Sequence, residues 1–441
     1  MELSEKIRKN KAIICVAGIG FVGLPLSIQF AKKGFKVLGF DIDSKKVKEL
    51  KGGRDPTQEI GNDNLSKTLK KYDLDFTDRP EKIKEADIII IAVPTPIDEL
   101  KKPYLRYIEK ASETVGKFMK KGSVIVLESS VYPGVTEEVV KPILEKGSGM
   151  KCGVGFGLGY SPERINPGDA NHGLTKVVKI VSAHDEKTAR LLSDLYEKIV
   201  DAGVYKTRDI KTAEAAKIIE NIQRDLNIAL VNELAIIFEK MGIDANEVLD
   251  AAGTKWNFHS YRPGLVGGHC IPIDPYYLVY KAKSLKYNPK IILSGRDINE
   301  YMPIHVAKMI LDKLKKYGKK PKKSNVLILG LAFKKNVGDI RNSPSKVLID
   351  ELKKEKVKVI GWEPLMPDDI LIEAFDVDIV KDIEFSKKID CIVLVTDHDA
   401  FKNISMDKLL KISRGKPILI DVRGFFNKER MKKAGFEYVR L

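Results

Sequence analysis

Cysteine is scarce in this chain. Its 441 residues include four cysteines, Cys15, Cys152, Cys270 and Cys391, which lie far apart and form no CxxC pair. A disulfide framework or a zinc site needs cysteines in pairs or at ligand spacing. The distribution therefore argues against both, leads us to expect no bound metal, and fits a cytoplasmic protein with free thiols.

Long apolar runs are also lacking. No stretch reaches the length of a membrane span, and the first residues, MELSEKIRKNK, lack the apolar segment of a signal peptide. We therefore expect no membrane partner and no export signal.

Acidic residues are outnumbered by basic ones, 61 to 77, which gives a formal net charge of +16. Such an excess can indicate nucleic-acid binding, an anionic small-molecule substrate or a lysine-rich surface. The lysine-rich stretches 313–323 and 353–358 fall on predicted helix surfaces and turns. We expect a solvated surface and no nucleic-acid partner.

Predicted strands and helices alternate over roughly the first 200 residues. The run KAIICVAGIG (11–20) is typical of a buried parallel strand, and LPLSIQFAKKG (24–34) follows with helical spacing. Four further segments are predicted to be strands of the same kind: FKVLGFD, ADIIIIAVPTP, SVIVLESS and KVVKIVSA. This alternation predicts a doubly wound sheet.

A long helix is predicted in the middle of the chain, because residues 212–241 contain neither Pro nor Gly. Its length of about 45 Å exceeds one small domain, so it should bridge domains or form a subunit interface. Apolar residues recur as on one helix face. They are Ala215, Ile218, Ile219, Ile222, Leu226, Ala229 and Leu230.

After the basic segment GKKPKKSN (318–325), βα alternation resumes. The fold class is therefore α/β, with two doubly wound, Rossmann-like domains joined by a helical central domain. The predicted bounds are residues 1–205 for the first domain, 206–318 for the central domain and 319–441 for the last.

A dinucleotide-binding fingerprint opens the first predicted helix. Gly18, Gly20 and Gly23 form GxGxxG with Phe21 and Val22 in the same turn, directly after a strand. Such glycines allow the backbone to approach a pyrophosphate at a helix N-terminus. The alternative is a glycine-rich turn without a ligand.

Asp41 ends the second predicted strand, 18 residues after Gly23. An acidic residue there accepts hydrogen bonds from the adenosine ribose and repels a 2′-phosphate. The pattern therefore predicts NAD rather than NADP as the cofactor.

Three predicted strand tips carry further candidates for the same cleft. Pro94 and Thr95 lie in VPTP, Ser130 lies in ESSVYPG, and Glu163 and Arg164 lie in SPERINPGD (161–169). Ligands bind at this edge of doubly wound sheets. The alternatives are plain turns and, for Glu163 with Arg164, a surface ion pair.

Lys217 and Asn221 share a face of the long helix, because they are four residues apart. A lysine on a partly buried face is costly without an anionic partner. The alternative is a lysine whose ammonium group reaches solvent.

Cys270 lies in the constrained stretch GLVGGHCIPIDPYYL (264–278). Gly267 and Gly268 permit unusual backbone conformations and close approach of a ligand. With Asp274 four residues on, the thiol has the setting of a positioned nucleophile. An inert thiol is one alternative, and a metal site formed with His269 is another that lacks its remaining ligands.

These motifs together resemble the UDP-glucose/GDP-mannose 6-dehydrogenase family. The matching segments, in the family's order, are GIGFVGLPLS, VPTPID, ESSVYPGVTEE, SPERINPGD, AEAAKIIEN, GGHCIPIDP and GLAFKKNVGDIRNSPS. SPERINPGD and GGHCIPIDP resemble the branch that acts on UDP-GlcNAc or UDP-ManNAc.

The resemblance implies a four-electron oxidation of a sugar C6 alcohol to a carboxylate by two NAD, through a thiohemiacetal and a thioester on Cys270. It also implies NAD in the first domain, the nucleotide sugar in the last, an active site between them, and a dimer or higher oligomer built on the long helix. The site residues that it implies are Lys217 and Asn221 for the oxyanion, Asp274 for water, Glu163 for proton transfer and Ser130 as a further catalytic group. Substrate contacts are implied for Arg164, Arg262, Gly267, Lys334 and Arg341, with Asp339 orienting Arg341.

Three positions depart from the UDP-glucose branch, which has threonine where Ser130 stands, a second glutamate where Pro167 stands and serine where His269 stands. These departures argue against UDP-glucose, which stays an alternative substrate. Two further alternatives are an inactive regulator that binds nucleotide sugars and a two-electron dehydrogenase.

Overall fold

The computed structural model describes residues 1–165, 173–383 and 388–441. They form two compact units, Met1–Glu220 with Tyr276–Tyr287, and Asn221–Pro275 with Asn288–Leu441. Among the described residues, no helix combines the length and the apolar composition that a membrane crossing requires.

The first unit is built on a sheet that has eight strands among the described residues, in the order β3-β2-β1-β4-β5-β6-β7-β8. The strands are β1 (Ile13–Ala17), β2 (Lys36–Phe40), β3 (Leu74–Thr77), β4 (Ile88–Ile91), β5 (Val124–Leu127), β6 (Gly157–Tyr160), β7 (Lys179–Ala183) and β8 (Val204–Lys206). The order reverses between β1 and β4, and such a switch point is where doubly wound sheets bind ligands. The predicted doubly wound sheet is confirmed.

One predicted strand, β7, departs from the predicted parallel arrangement, and β8, which pairs with β7 in parallel, runs in the same reversed direction. β7, from KVVKIVSA, pairs with β6 in antiparallel fashion through Gly159–Ala183 and Tyr160–Ser182. A buried apolar run does not encode strand direction, because strands of either direction can be apolar on both faces.

Helices cover this sheet and bury its apolar residues. They are α1 (Leu3–Arg8), α2 (Gly23–Lys32), α3 (Ser44–Lys51), α4 (Asn62–Lys71), α5 (Arg106–Phe118), α6 (Lys141–Ser148) and α7 (Glu186–Glu197). Ile14 and Val16 of β1 pack in one core cluster with Phe30 of α2 and Tyr196 of α7, all fully buried. Each buried aromatic side chain contributes on the order of 2–3 kcal/mol to folding.

The second unit contains a sheet of six parallel strands among the described residues, in the order β11-β10-β9-β12-β13-β14. They are β9 (Asn325–Leu329), β10 (Lys358–Trp362), β11 (Asp378–Ile379), β12 (Cys391–Leu394), β13 (Ile418–Asp421) and β14 (Glu437–Arg440). Val326 and Ile328 of β9 face one core cluster, and Leu327 and Leu329 face another. The strand is therefore buried on both faces, as its apolar run predicted.

The remaining helices are α8 (Ile210–Met241), α9 (Ala245–Ala252), α10 (Asp274–Ser284), α11 (Lys290–Lys316), α12 (Ser345–Lys354), α13 (Asp368–Phe375), α14 (Met406–Ile412) and α15 (Lys428–Lys433). The predicted long helix is confirmed as α8, which has 32 residues. The unit boundary at Glu220 falls inside it. The three domain bounds taken from the sequence stay a prediction.

The predicted apolar face of α8 needs correction. Ile218, Ile222 and Ala229 are buried, but Ile219 and Leu230 are more than half exposed. Polar residues take part in the buried face instead. They are Glu214, Lys217, Asp225 and Asn232, each at most 7% exposed. A count of apolar residues at helical spacing missed Glu214, Asp225 and Asn232, which are retained in the buried face because they find hydrogen-bond partners.

Candidate functional site

The glycine fingerprint forms the turn between β1 and α2. A Cβ on Gly18, whose φ is +100°, would lie 2.5 Å from the carbonyl oxygen of Ala92, and one on Gly23 would lie 1.9 Å from that of Gly18. Packing therefore requires both glycines. A Cβ on Gly20 would meet no atom within 4 Å, so open space lies over this turn at the N-terminus of α2. This arrangement fits a dinucleotide pyrophosphate.

Asp41 follows β2 and is 7% exposed. Its Oδ2 accepts hydrogen bonds from the backbone N of Ile19 and from Nζ of Lys46, both at 2.9 Å. Its Oδ1 accepts one from the backbone N of Asp43 at 3.0 Å. The Asp41 carboxylate therefore supports the fingerprint turn directly. It also pairs with Lys46, which the sequence analysis did not include.

The segments after β4 and β5 meet at the carboxyl edge of the sheet. Oγ of Ser129 accepts a hydrogen bond from the backbone N of Val93 at 3.0 Å and donates one to the Val93 carbonyl at 2.7 Å. Pro94 is exposed, while Thr95 and Ser130 are half-buried. The structure therefore brings the two predicted strand tips together through Ser129, a residue that sequence reasoning missed.

Glu163 and Arg164 follow β6 at the same edge, but they do not form the ion pair considered as an alternative. Oε1 of Glu163 accepts from the backbone N of Arg164 and of Ile165, both at 2.7 Å. Nη2 of Arg164 lies 2.7 Å from Oε1 of Glu220 on α8. That alternative is wrong, because the backbone turn engages Glu163. Residues 166–169 of the motif lie outside the described residues.

A buried charged pair lies behind Glu163. Nζ of Lys179 is 2.9 Å from Oε2 of Glu128 and 3.9 Å from Oε2 of Glu163. The hydroxyl of Tyr196 donates to the other oxygen of Glu128. Burial raises the pKa of the Glu128 carboxyl, and Lys179 opposes this rise. The pair was invisible in the sequence because β5, β7 and α7 meet only in the fold.

Lys217 lies on α8 one turn before Asn221. It is 7% exposed, and within the described part of the chain it has neither a hydrogen bond nor an ion pair. A mostly buried ammonium group is costly unless an anion or a polar ligand group meets it. The ammonium group of Lys217 is therefore suited to bind an oxygen atom of a substrate.

Cys270 is exposed, whereas Cys15 and Cys391 are buried and Cys152 is half-buried. Burial raises the pKa of the Cys15 thiol to about 12 and that of the Cys152 thiol to about 11. Reaction of a thiol requires access and the thiolate form. Among the four cysteines, Cys270 is therefore the one suited to act as a nucleophile.

Asp274 connects the cysteine loop to α8. The backbone N of Asp274 donates to the Cys270 carbonyl at 2.9 Å, and α10 begins at Asp274. The Asp274 side chain is 3% exposed, and its Oδ2 accepts a hydrogen bond from Nδ2 of Asn221 at 2.5 Å. The structure thus brings together three of the residues predicted to be catalytic.

The two glycines before Cys270 pack against the segment that follows β9. A Cβ on Gly267 would lie 2.6 Å from Cδ of Pro344, and one on Gly268 would lie 2.6 Å from Cε2 of Phe333. Protein atoms therefore explain both glycines. This packing, rather than the close approach of a ligand, accounts for the two glycines. The substrate contact of Gly267 stays a prediction.

Asp339 joins His269 to Arg341 in the second unit. Its Oδ2 lies 3.0 Å from Nε2 of His269 and accepts from Nη2 of Arg341 at 2.7 Å, while its Oδ1 accepts from Nε of Arg341 at 3.0 Å. Burial alone would raise the pKa of Asp339, but the hydrogen bonds from His269 and Arg341 hold it well below its usual range. The Asp339 carboxylate is therefore ionised.

The two remaining predicted substrate residues differ in their surroundings. Lys334 is half-buried in the segment between β9 and α12, which also carries Arg341. Arg262 is exposed and pairs with Asp250 on α9. The pair with Asp250 does not test the substrate contact predicted for Arg262, which stays a prediction.

A Rossmann-type sheet with the glycine fingerprint at its switch point, Asp41 beside the turn and an accessible thiol define an NAD-binding oxidoreductase. Sequence models of the UDP-glucose/GDP-mannose dehydrogenase family match the whole architecture. The NAD binding domain matches residues 12–200, the central domain residues 211–301 and the UDP binding domain residues 327–428. The chain belongs to this family, and it is an NAD-dependent UDP-sugar dehydrogenase.

Individual relatives cover nearly the full length. The chain is 44% identical to Protein CapL of Staphylococcus aureus over 95% of this chain and 97% of that protein. It is 45% identical to the UDP-N-acetyl-D-glucosamine 6-dehydrogenase of Salmonella typhi over 93% and 95%. The solved UDP-D-ManNAc dehydrogenase of Pyrococcus horikoshii has a TM-score of 0.88 at 33% identity, covering 97% of this chain and 98% of that one.

Proposed function

We propose that this enzyme oxidises C6 of a UDP-N-acetylhexosamine, UDP-GlcNAc or UDP-ManNAc, from the alcohol to the carboxylate. The observation that carries the proposal is the accessible Cys270, followed by a buried Asp274 that is bonded to Asn221. The relatives named for UDP-N-acetyl-D-glucosamine and for UDP-D-ManNAc support the acetylated sugars. The 45% identity to the Salmonella enzyme, against 33% to the Pyrococcus one, favours the gluco epimer.

NAD, when bound, accepts a hydride in each of two oxidation steps. The residues that would hold it are Gly18, Gly20, Phe21, Val22 and Gly23 of the fingerprint turn. Asp41 would accept from the ribose, and Pro94, Thr95 and Ser130 would line the edge beside it. Gly20 fits this role because open space lies over it.

The first oxidation gives the C6 aldehyde, to which the Cys270 thiolate adds. A C–S bond forms, and the carbonyl electron pair moves to oxygen, which becomes a thiohemiacetal hydroxyl on protonation. Lys217, by its charge, and Asn221, by its amide hydrogens, stabilise that oxygen while it is anionic. Loss of the hydroxyl proton and of a second hydride from C6 leaves a thioester.

Hydrolysis of the thioester completes the reaction. Asp274 holds the water, and Glu163 assists the proton transfer. Water adds to the thioester carbonyl, the C–S bond breaks, and the Cys270 thiolate leaves. The balance is one alcohol, two NAD and one water converted to one carboxylate, two NADH and three protons.

We assign substrate binding to five residues. Arg341, held by Asp339, and Lys334 supply positive charge for the diphosphate, and Arg164, Arg262 and the backbone of Gly267 add further contacts. The proposal keeps three domains, with bounds at 1–205, 206–318 and 319–441, and a cytoplasmic location.

A homodimer or higher oligomer built on α8 completes the proposal. Ile219, Leu230, Ile237 and Met241 of α8 are between 44% and 61% exposed, and their spacing puts them on one side of the helix. A second copy of the chain would cover them. Ile237→Lys should then lower the mass measured by light scattering to that of one chain.

The test of function is a panel of UDP-GlcNAc, UDP-ManNAc and UDP-glucose with NAD. We expect two NADH per sugar and a higher kcat/KM for an acetylated sugar, because a pocket that hydrogen-bonds an acetamide leaves polar groups unpaired without it. A value for UDP-glucose at or above both acetylated sugars would contradict the substrate. One NADH per sugar would contradict the cysteine mechanism.

A further inference from the structure

A buried polar network connects α8 and α11 below the cysteine loop. Nη1 of Arg296 donates to Oδ1 of Asp225 at 2.6 Å, and Nδ2 of Asn299 donates to the same oxygen at 2.8 Å. Nδ2 of Asn232 donates in turn to Oδ1 of Asn299 at 2.9 Å. All four residues are at most 2% exposed. Each of the four side chains makes at least one of these hydrogen bonds, and the bonds restrict its position.

Asn232 connects this network to the main chain of the cysteine loop. Its Nδ2 donates to the Gly264 carbonyl at 3.0 Å, and its Oδ1 accepts from the Gly264 N at 2.8 Å. A side-chain amide that bonds both polar groups of one residue fixes the position and the orientation of that peptide. Gly264 begins the stretch that leads to Cys270.

The other end of the stretch is held by the same helix. Asn221 bonds Asp274, ten residues after Gly264, and Asp274 bonds the Cys270 carbonyl. Asn221 and Asn232 are eleven residues apart, which is close to three helical turns, so both project from one side of α8 at points about 16 Å apart. Helix α8 therefore fixes both ends of the segment that carries the thiol.

We propose that Asn232 is a positioning residue, which holds the loop in register with α8 so that Cys270 is presented to the reacting carbon. The proposal rests on the nucleophilic role of Cys270 given above. The network then affects the rate of catalysis as well as stability, because a displacement of about 1 Å in a reacting group can lower a rate by about 100-fold.

The experiment compares Asn232→Ala with Asn299→Ala. Both changes remove a buried amide from the same network, but only the first removes the bonds to Gly264. We expect similar losses of thermal stability. For Asn232→Ala we expect a kcat at least 30-fold lower with KM for the UDP sugar within about threefold, and for Asn299→Ala a kcat within about threefold of the wild type.

A second readout is independent of turnover. The rate at which iodoacetamide alkylates Cys270, followed by peptide mass spectrometry, should change at least threefold in Asn232→Ala and stay unchanged in Asn299→Ala. This rate reports the setting of the thiol even if the proposed chemistry fails. If the alkylation rate changes but Cys270 proves dispensable for turnover, the positioning stands and the proposed function falls.

A third variant covers the case in which Asn232→Ala does not fold. Asn232→Asp keeps the shape and the acceptor for the Gly264 N, and places an oxygen against the Gly264 carbonyl. We expect the same loss of kcat and the same altered alkylation. Wild-type kcat and alkylation in a folded Asn232 variant would overturn the proposal, and so would equal effects in Asn299→Ala.

Discussion

Nδ2 of Asn221 donates a hydrogen bond of 2.5 Å to Oδ2 of Asp274, which joins α8 to the first residue of α10. Because the backbone N of Asp274 also bonds the backbone carbonyl of Cys270, this one residue bonds both the amide on the helix and the main chain of the cysteine loop. This pairing connects, through one side-chain bond and one backbone bond, the three residues that we propose for oxyanion stabilisation, water activation and nucleophilic attack.

Asp274→Asn should separate oxidation from hydrolysis. The new amide keeps a polar partner for Asn221, so the free energy of unfolding should change by about 1 kcal/mol or less. The amide cannot take a proton from water. Steady-state turnover should fall about 100-fold or more. Rapid mixing with NAD and UDP sugar should still give a burst of two NADH per Cys270. A burst of one NADH or less would show that Asp274 acts in a step that precedes hydrolysis.

Cys270→Ser should trap the covalent intermediate. A serine oxygen can add to the aldehyde, but its ester lacks a thiolate leaving group and should hydrolyse far more slowly. Intact-protein mass spectrometry should therefore show a sugar adduct on this variant. Cys152→Ala is the control, because that thiol is half-buried and its pKa is raised to about 11, and its kcat should match the wild type. Uronic acid formed at a near-normal rate by Cys270→Ala would remove the cysteine mechanism.

Asp41→Ser should weaken the preference for NAD. The change removes the charge that repels a 2′-phosphate and frees Lys46, whose Nζ lies 2.9 Å from Oδ2 of Asp41, to meet that phosphate. The ratio of kcat/KM for NAD to that for NADP should fall about tenfold or more. Adding Lys46→Ala should reverse part of the gain with NADP. An unchanged ratio in Asp41→Ser would contradict the role given to Asp41.

Arg341→Lys should raise KM for the UDP sugar about tenfold and leave kcat within about threefold. Lysine cannot reproduce the two-point bond to Asp339, so its charge is placed less firmly for a diphosphate. Arg414→Lys is a matched control, because Arg414 makes a similar bond to Asp390 without a predicted substrate role. Equal KM values in the two variants would argue against a substrate contact.

The acid stability of the second unit should depend on Asp244. Burial alone would raise its pKa, but hydrogen bonds from Lys428 and Arg440 lower it to about 2 from an ordinary 3.8. A depressed carboxyl pKa stabilises the fold above the unfolded pKa, and this contribution is lost as pH falls through the folded pKa. The free energy of unfolding of Asp244→Asn should therefore be about 2 kcal/mol lower than that of the wild type at pH 7.

The difference between Asp244→Asn and the wild type should shrink between about pH 4 and pH 2, as followed by denaturant unfolding. Asp250→Asn is the control, because the Asp250 side chain is 66% exposed and its pair with Arg262 should contribute less than about 1 kcal/mol. A difference for Asp244→Asn that persists at pH 2 would show that packing, not charge, explains its effect.

Much of the fold and part of the site could be predicted from local patterns. GxGxxG between a strand and a helix predicted the dinucleotide turn, and the absence of Pro and Gly from 212–241 predicted α8. The direction of β7 could not be predicted, since its apolar run suits either direction. The exposure of Ile219 and Leu230 could not be predicted either, because polar Asp225 and Asn232 are buried only where partners on other segments meet them.

The sequence by itself determined the α/β class, the fingerprint turn and the cysteine loop, because each depends on residues that are close together in the chain. Only the tertiary structure decided which side chains are partners. Asn221 with Asp274, His269 with Asp339 and Arg164 with Glu220 are separated by 53, 70 and 56 residues in the chain. Such pairs form after the sheets and helices have packed, and the gain from pairing buried charges depends on that geometry, which no local spacing encodes.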